Sequence, residues 1–93
     1  MLIDMRVFLS NQFKKKLKKQ NLNFRNRLDL EIVRIAEDPQ IGKLKKGDLS
    51  EVRVYKCYIL NKLVLIAYML KEEGVFLLAF GEHENFYRDI KVK

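Results

Sequence analysis

Apolar residues in the first twenty positions recur first at every second position and then at a four-residue spacing. Residues 3–9 largely alternate between apolar and polar side chains, which predicts a strand with one buried face. Ser10 interrupts this alternation and can cap a helix. Residues 10–20 then offer Phe13 and Leu17 as an apolar pair beneath several lysines. We therefore expect a first helix that packs by a narrow stripe.

A longer segment with three-to-four-residue spacing covers residues 22–37 and predicts the main helix of the fold. Its apolar stripe consists of Phe24, Leu28, Ile32 and Ile35 or Ala36, and it is widened by Leu30 and Val33. Asp38 and Pro39 end this helix, because the residue before a proline avoids the helical region and proline lacks an N–H donor. The wide stripe predicts that this helix packs on the sheet.

Three strand-like segments separated by short polar stretches make up the second half of the chain. Residues 63–70 and 75–80 are apolar at both parities, which predicts central strands covered on both sides. Short turns favour antiparallel hairpins. The sequence therefore predicts one α+β domain, residues 1–93, with a mainly antiparallel four-stranded sheet, two N-terminal helices on one face and a short C-terminal tail or helix.

The first of these segments, residues 49–56, is the most polar. Val52 and Val54 alternate there with Glu51, Arg53 and Tyr55, so the polar side is expected to look outward or into a cleft. A glycine-bracketed loop, residues 41–48, precedes it and carries Lys45 and Lys46. Backbone freedom and ammonium groups together suit contact with a phosphate backbone, although solvated loop charges are an equal alternative.

Net charge narrows the choice of partners. The chain has 19 Lys and Arg against 12 Asp and Glu, a formal net charge of +7. Residues 10–28 contain no acid and carry Lys14, Lys15, Lys16, Lys18, Lys19, Arg25 and Arg27. Such a density of positive charge attracts RNA, DNA or an acidic protein. The alternative is a solvated helix face that only keeps the protein soluble.

Other composition features argue against several classes of protein. The single cysteine, Cys57, cannot form an internal disulfide and is expected to be a packing residue, and with one histidine we predict neither a metal site nor a cofactor. No apolar run approaches the ~18 residues of a membrane span, and no secretory leader is recognisable. We expect a cytoplasmic protein without a membrane partner.

The polar segment directly after residues 75–80 is the candidate site. It contains Gly81, Glu82, His83, Glu84, Asn85, Tyr87, Arg88 and Asp89. Folded back on the polar side of residues 49–56, it would bring His83, Tyr87 and Arg88 near Arg53 and the lysine loop. Such a cleft suits a phosphodiester, because cations neutralise the developing charge and a histidine, which ordinarily titrates near pH ~6.5, transfers a proton. With the ribose 2′-hydroxyl as nucleophile no metal is required, and the substrate is RNA.

Each of these residues has a structural alternative when taken alone. His83 can be a loop histidine without a task, Tyr87 can cover the core, and Arg53 can form a cross-strand ion pair. It is their combination that favours a site.

The order of motifs resembles the RelE/ParE superfamily of toxins from type II toxin–antitoxin modules, closest to the YafQ-type mRNA interferases. The resemblance rests on residues 13–19, Asp38-Pro39, residues 44–49 before Val52-Arg53-Val54, residues 65–68, and Gly81, His83 and Tyr87. It implies a metal-independent endoribonuclease that cuts mRNA in the ribosomal A site and is held inactive by a cognate acidic antitoxin.

The same resemblance implies roles for individual residues. His83 would be the general acid or base, Tyr87 would stack on or orient the substrate, and Arg53 would face the scissile phosphate. The basic residues expected to contact substrate or ribosomal RNA are Lys15, Lys18, Lys19, Lys45, Lys46, Lys56 and Arg88. Leu65 stands where many members carry arginine, so transition-state stabilisation would come from Arg53, assisted by Lys56 or Arg88.

Two other functions remain open at this point. The chain can be a non-catalytic member, such as a ParE-like gyrase inhibitor or a degenerate toxin that acts as a binding protein with its antitoxin. It can also be a plain RNA-binding domain. His83 favours the ribonuclease over the first alternative.

Overall fold

A computed structural model of the chain describes residues 5–45 and 51–82. In chain order the elements are β1 (Val7–Leu9), α1 (Asn11–Lys18), α2 (Leu22–Glu37), β2 (Lys43–Leu44), β3 (Arg53–Ile59), β4 (Lys62–Lys71) and β5 (Gly74–Glu82). The five strands form one sheet in the order β1-β5-β4-β3-β2, in which β1 runs parallel to β5 and all other neighbours are antiparallel. The predicted α+β class is confirmed. The fifth strand is β2, a two-residue segment within the loop predicted over residues 41–48.

Both helices begin and end close to the predicted residues. The Ser10 side chain accepts a hydrogen bond from the Phe13 N–H and caps α1, as expected. Asn21 caps α2 in the same way, by accepting from the Phe24 N–H. Helix α2 ends at Glu37, immediately before Asp38 and Pro39. These local capping signals therefore fix the helix boundaries.

The apolar stripe of α2 is narrower than predicted. Leu28 and Ile35 are fully buried, whereas Leu30 is 63% exposed and Val33 49% exposed. The expectation that Leu30 and Val33 widen the buried stripe was wrong, because only the side of the helix that faces the sheet packs against it.

The two faces of the sheet are buried by different sets of residues. The larger cluster lies between the helices and the sheet and includes Phe13, Leu28, Ile66, Tyr68 and Phe80. The smaller cluster lies on the opposite face, hereafter the far face, and consists of Val54, Leu65, Ala67 and Ala79 with Val52 and Leu78 beside them. Strands β4 and β5 contribute to both clusters, which confirms their central position. Neither helix in the described part of the chain has the length and apolar character needed to cross a bilayer.

A β-bulge at Leu78 changes the direction of the side chains in the last part of β5. Ala67 of β4 pairs with Ala79 and Tyr68 pairs with Leu77, so Leu78 has no partner on β4. Ser10 binds at the bulge: its N–H donates to the Leu77 carbonyl at 3.0 Å and its hydroxyl donates to the Leu78 carbonyl at 2.8 Å. The bulge brings Phe80 into the main core beneath the helices.

The turn between β4 and β5 requires a glycine. Gly74 has a φ of +149°, a region essentially reserved for glycine. A Cβ atom at this position would collide with the backbone carbonyl oxygen of Arg6. The same carbonyl accepts a hydrogen bond from the Val75 N–H at 2.8 Å. The close approach of β1 to β5 therefore depends on the absence of a side chain at residue 74.

Candidate functional site

A row of paired residues crosses the sheet from β3 to β5 and ends two positions before His83 in the sequence. Lys56 of β3 pairs with Leu65 of β4, and Leu65 pairs with Gly81 of β5. The Lys56 side chain is exposed, whereas Leu65 is fully buried. His83 follows Gly81 by two positions in the sequence. Lys56 is therefore an exposed cation on this row of paired residues, hereafter the Lys56 row.

Several predicted site residues lie outside the described residues. They are Lys46, His83, Tyr87 and Arg88. Their roles stay predictions, as does the proximity of His83 to Arg53.

Arg53 lies on the helix side of the sheet, away from the Lys56 row. Its Nη1 donates to the Gly42 carbonyl at 2.8 Å and to the Gln40 carbonyl at 3.5 Å. This guanidinium therefore joins β3 to the loop that precedes β2. Arg53 is only partly buried, and its contact with a substrate phosphate remains a prediction.

The expectation that the polar side of β3 looks outward or into a cleft was wrong. Tyr55, on the same side as Arg53, packs against the main core. Its hydroxyl donates a hydrogen bond to the Glu31 carboxylate of α2 at 2.7 Å. Val52 and Val54 lie on the far face instead. The alternation itself was predicted, but not which side the helices cover.

Burial raises the pKa of two titratable groups of β3. Desolvation, followed by the hydrogen bond and charge of Glu31, raises the pKa of Tyr55 to about 12. Desolvation and the Glu31 charge also raise the pKa of the Cys57 thiol to about 12. The thiol lies 3.6 Å from the Val64 carbonyl oxygen. Because a thiol needs to ionise to act as a nucleophile, this environment supports the prediction that Cys57 is a packing residue.

The hydroxyl of Tyr68 fixes the loop between α2 and β2. It donates to the Pro39 carbonyl at 2.6 Å and accepts from the Gly42 N–H at 2.9 Å. Burial is the main cause that raises the Tyr68 pKa above its ordinary value. Tyr68 and Arg53 together hold residues 39–42, and so determine where the lysine loop begins. Sequence reasoning missed this role, although a tyrosine within an otherwise apolar central strand is a signal that its hydroxyl needs a partner.

We expect Tyr68→Phe to lower the free energy of unfolding by about 2–3 kcal/mol, because the buried Gly42 N–H and the Pro39 carbonyl both lose their partner. Urea unfolding measures this change. Tyr58→Phe is the matched control, since Tyr58 is 73% exposed and its replacement is expected to change stability by less than about 0.5 kcal/mol. Equal stability of the two variants would contradict the assigned role of the Tyr68 hydroxyl.

Some lysines of α1 and its C-terminal cap are exposed to solvent, whereas Lys16 is bonded to the sheet. Lys15, Lys18 and Lys19 are exposed, as their predicted contact with RNA requires. Lys16 differs: its Nζ donates to the Phe80 carbonyl at 2.8 Å and lies 5.1 Å from the centroid of the Phe80 ring. Lys45 of the loop donates its backbone N–H to the Val52 carbonyl at 2.8 Å, which extends the β2–β3 pairing by one residue.

Potential metal ligands are dispersed over the described residues. No three His, Cys, Asp or Glu side chains within residues 5–45 and 51–82 come together in a group that could hold an ion. The exposed lysines and arginines of α1, α2 and the residues between them, hereafter the basic hairpin, and the exposed Lys56 both suit an anionic partner.

Comparison with known families identifies the chain. Residues 7–91 match the model of the ParE-like toxin family, described as ParE-like toxins of type II bacterial toxin–antitoxin systems. The chain belongs to the ParE-like toxin family. The predicted membership of the RelE/ParE superfamily, and with it the assignment as a type II toxin, is confirmed. No curated protein matches the sequence significantly.

Solved structures show the same fold. A chain of the intact E. coli RelBE toxin–antitoxin complex is 21% identical, with a TM-score of 0.67 over 86% of this toxin and 98% of that chain. The isolated E. coli RelE toxin is 20% identical, with a TM-score of 0.65 over 94% and 96% of the two chains. The conserved hypothetical protein HP0894 of Helicobacter pylori is 26% identical, with a TM-score of 0.56 over 85% and 94%. The closer kinship with YafQ-type toxins stays a prediction.

Proposed function

We propose that this toxin is an endoribonuclease that cleaves mRNA at the ribosome by in-line attack of the ribose 2′-hydroxyl. His83 transfers the proton as general acid or base, and Tyr87 stacks on or orients the substrate. Lys56, Arg53 and Arg88 stabilise the charge that develops on the phosphate. The products are a 2′,3′-cyclic phosphate and a 5′-hydroxyl, and the chemistry needs no metal because the nucleophile belongs to the RNA.

The observation that carries this proposal is the register of the strands β3, β4 and β5. Lys56, Leu65 and Gly81 lie side by side across three strands, and His83 comes two residues after Gly81. An exposed ammonium group on this row supports a phosphate contact close to the strand that leads to the histidine. Lys56 is therefore the main described cation in the proposed stabilisation of the phosphate, not an assistant to Arg53. Arg53 contributes through the loop that it fastens as well as through any contact with the substrate.

We infer that the α1–α2 hairpin binds ribosomal RNA. Its exposed lysines and arginines follow one another from residue 14 to residue 27 without an intervening acid. Phosphate contacts of this kind supply affinity that is independent of base sequence and sensitive to salt.

The triple variant Lys15→Gln, Lys18→Gln and Lys19→Gln is expected to lower the slope of log affinity against log salt by about 2–3, at slightly under one unit for each lost phosphate contact. Binding of purified ribosomes or structured RNA over a salt series measures this slope. Lys71→Gln is the control, because Lys71 is engaged with Glu51 at 3.1 Å on β4. An unchanged slope in the triple variant would remove the hairpin from the RNA interface.

We also propose an acidic antitoxin as the protein partner and the cytoplasm as the site of action. A toxin of net charge +7 suits an acidic chain that wraps around it. The related fold of the E. coli RelBE complex is found with its antitoxin, which supports the same arrangement for this toxin.

A non-catalytic toxin, such as a gyrase inhibitor, is the second candidate. It is favoured by the apolar character of the far face, where Leu65 belongs to the Lys56 row and Val54, Ala67 and Ala79 lie beside it. The bonds between Arg53 and two loop carbonyls favour it further, because they engage one nitrogen of the guanidinium in the fold. A plain RNA-binding domain is a third candidate and shares the basic hairpin.

Primer-extension mapping of transcript ends after induction separates these candidates. If the toxin is a ribonuclease, new 5′ ends are expected within translated messages. If cleavage needs the ribosome, these ends are expected to disappear when translation is blocked. Intact transcripts together with inhibited supercoiling in a gyrase assay would support the second candidate instead. Salt-sensitive RNA binding without cleavage or gyrase inhibition would support the third.

A further inference from the structure

A groove of about 300 Å³ opens on the helix side of the molecule, and its lining includes Gly81, the β5 end of the Lys56 row. It lies between the α1–α2 junction and the turn that joins β3 to β4. Phe24, Ile59, Val64 and Phe80 supply its apolar surface, while Lys16 and Lys62 supply cations. This combination suits a ligand that has both an apolar group and negative charge.

Leu60 lines this groove and has a backbone conformation that is unfavourable for leucine. Leu60 and Asn61 have φ values of 52° and 70°, which places both central residues of the turn in the left-handed region. Asparagine and glycine adopt this conformation readily, whereas a bulky leucine does so at a cost. The side chain is also 41% exposed. A bulky residue in the left-handed region at a groove is a backbone outlier, and such outliers cluster at binding sites.

The charges around the groove favour an acidic occupant. Glu82 is the acid among the described residues that line it, and its carboxylate lies 3.6 Å from the Lys62 ammonium. The adjoining helical hairpin adds further exposed cations and, over residues 10–28, no acid. A peptide that carries carboxylates would meet attraction from both sides of the groove.

The aromatic residues of the groove do not favour a nucleic acid. A nucleobase needs an accessible ring face to stack on. Phe80 is 3% exposed, with the Lys16 ammonium 5.1 Å from its centroid and the Phe24 ring 6.0 Å away. The Phe80 ring therefore offers no free face to a base, and the apolar surface that remains comes from Leu60 and the half-buried Phe24.

We propose that this groove is a docking site for an acidic peptide segment that inserts one large apolar side chain against Leu60 and Phe24. Its carboxylates lie against Lys62 and the basic hairpin. This inference rests on the proposed function, because the natural source of such a segment is the acidic antitoxin. It gives Leu60 a role in partner binding and none in RNA cleavage.

The test uses the full toxin chain and, as probe, the purified product of any small gene adjacent to that of the toxin that encodes an acidic protein. We expect Leu60→Asn to weaken this binding by about 10-fold, the effect of losing part of one buried leucine contact. The thermal midpoint of the free toxin should stay the same or rise, since asparagine accepts the left-handed turn. Leu30→Asn is the matched control, because Leu30 is 63% exposed on α2 and does not line the groove, so its affinity should equal that of wild type.

A charge variant tests the same groove and is expected to change the affinity in the opposite direction. Glu82→Gln removes the groove's described acid and is expected to tighten binding several-fold, with the gain lost at high salt. Equal affinities of wild type, Leu60→Asn and Leu30→Asn would overturn the docking site while leaving the antitoxin partner intact. Weaker RNA cleavage by Leu60→Asn with unchanged antitoxin affinity would assign the groove to RNA and overturn it as well. Absence of binding by wild type would overturn both the partner and the groove, whereas transcript cleavage tests the enzyme separately.

Discussion

His83→Ala is expected to lower the rate of transcript cleavage by about 10²–10⁴-fold, the usual contribution of a positioned acid or base, and to relieve growth arrest on expression. The chain has no second histidine to take over the proton transfer. Primer extension on transcripts from cells that express wild type or the variant measures the loss. His83→Gln is expected to be as inactive as His83→Ala, because the amide can form hydrogen bonds but does not titrate at neutral pH.

The controls for this experiment separate chemistry from folding. Glu73→Ala changes an exposed turn residue and should leave cleavage and growth arrest at the wild-type level. The His83 variants should retain the thermal midpoint and the antitoxin affinity of wild type. Full cleavage by both His83 variants would remove histidine from the mechanism and would leave the cations of the far face, or a binding function, as the basis of toxicity.

Gly74→Ala is expected to lower the free energy of unfolding by about 3–5 kcal/mol, since the new Cβ adds a backbone clash to a strained φ. The collision is with the Arg6 carbonyl, which also accepts the Val75 N–H that joins β1 to β5. In a chain of this size the loss corresponds to a fall of roughly 15 °C or more in the thermal midpoint. Circular dichroism during heating measures the shift.

The neighbouring Glu73→Ala variant is the matched control for this prediction. It also places an alanine in the β4–β5 turn, but at an exposed position, so its stability should stay within about 0.5 kcal/mol of wild type. If Gly74→Ala had the same midpoint as Glu73→Ala, the close approach of β1 to this turn would not contribute to stability.

The parts of the fold that the sequence predicted are those determined by neighbouring residues. Ser10 and Pro39 marked the helix boundaries through capping and through the missing proline N–H, and both effects act within one turn. The central position of β4 and β5 followed from continuous apolar runs. In contrast, the parallel pairing of β1 with β5 and the short strand β2 depend on contacts between distant segments. No local pattern contains this information.

The candidate site illustrates the same limit. A two-residue period shows that Arg53 and Tyr55 share one side of β3, but it does not show which side the helices cover. Tyr55 packs under α2, so the exposed cation of β3 is Lys56, one residue further on and on the other side. Leu30 of α2 shows the same limit. Its hydrophobic character predicted burial, but it lies on the side of the helix that faces away from the sheet.

The extra residue at Leu78 has a consequence for how relatives of this toxin are aligned. It reverses the inward and outward assignment of every later residue in β5, so that Phe80, and not Ala79, enters the main core. In a homologue without the extra residue, the residue opposite Ile66 would still face the main core but would come one position earlier in the strand. Functional residues near the end of this strand can therefore be transferred between relatives only when the gap is placed before them, as at residue 78, since a gap placed after them assigns them to the wrong side of the sheet.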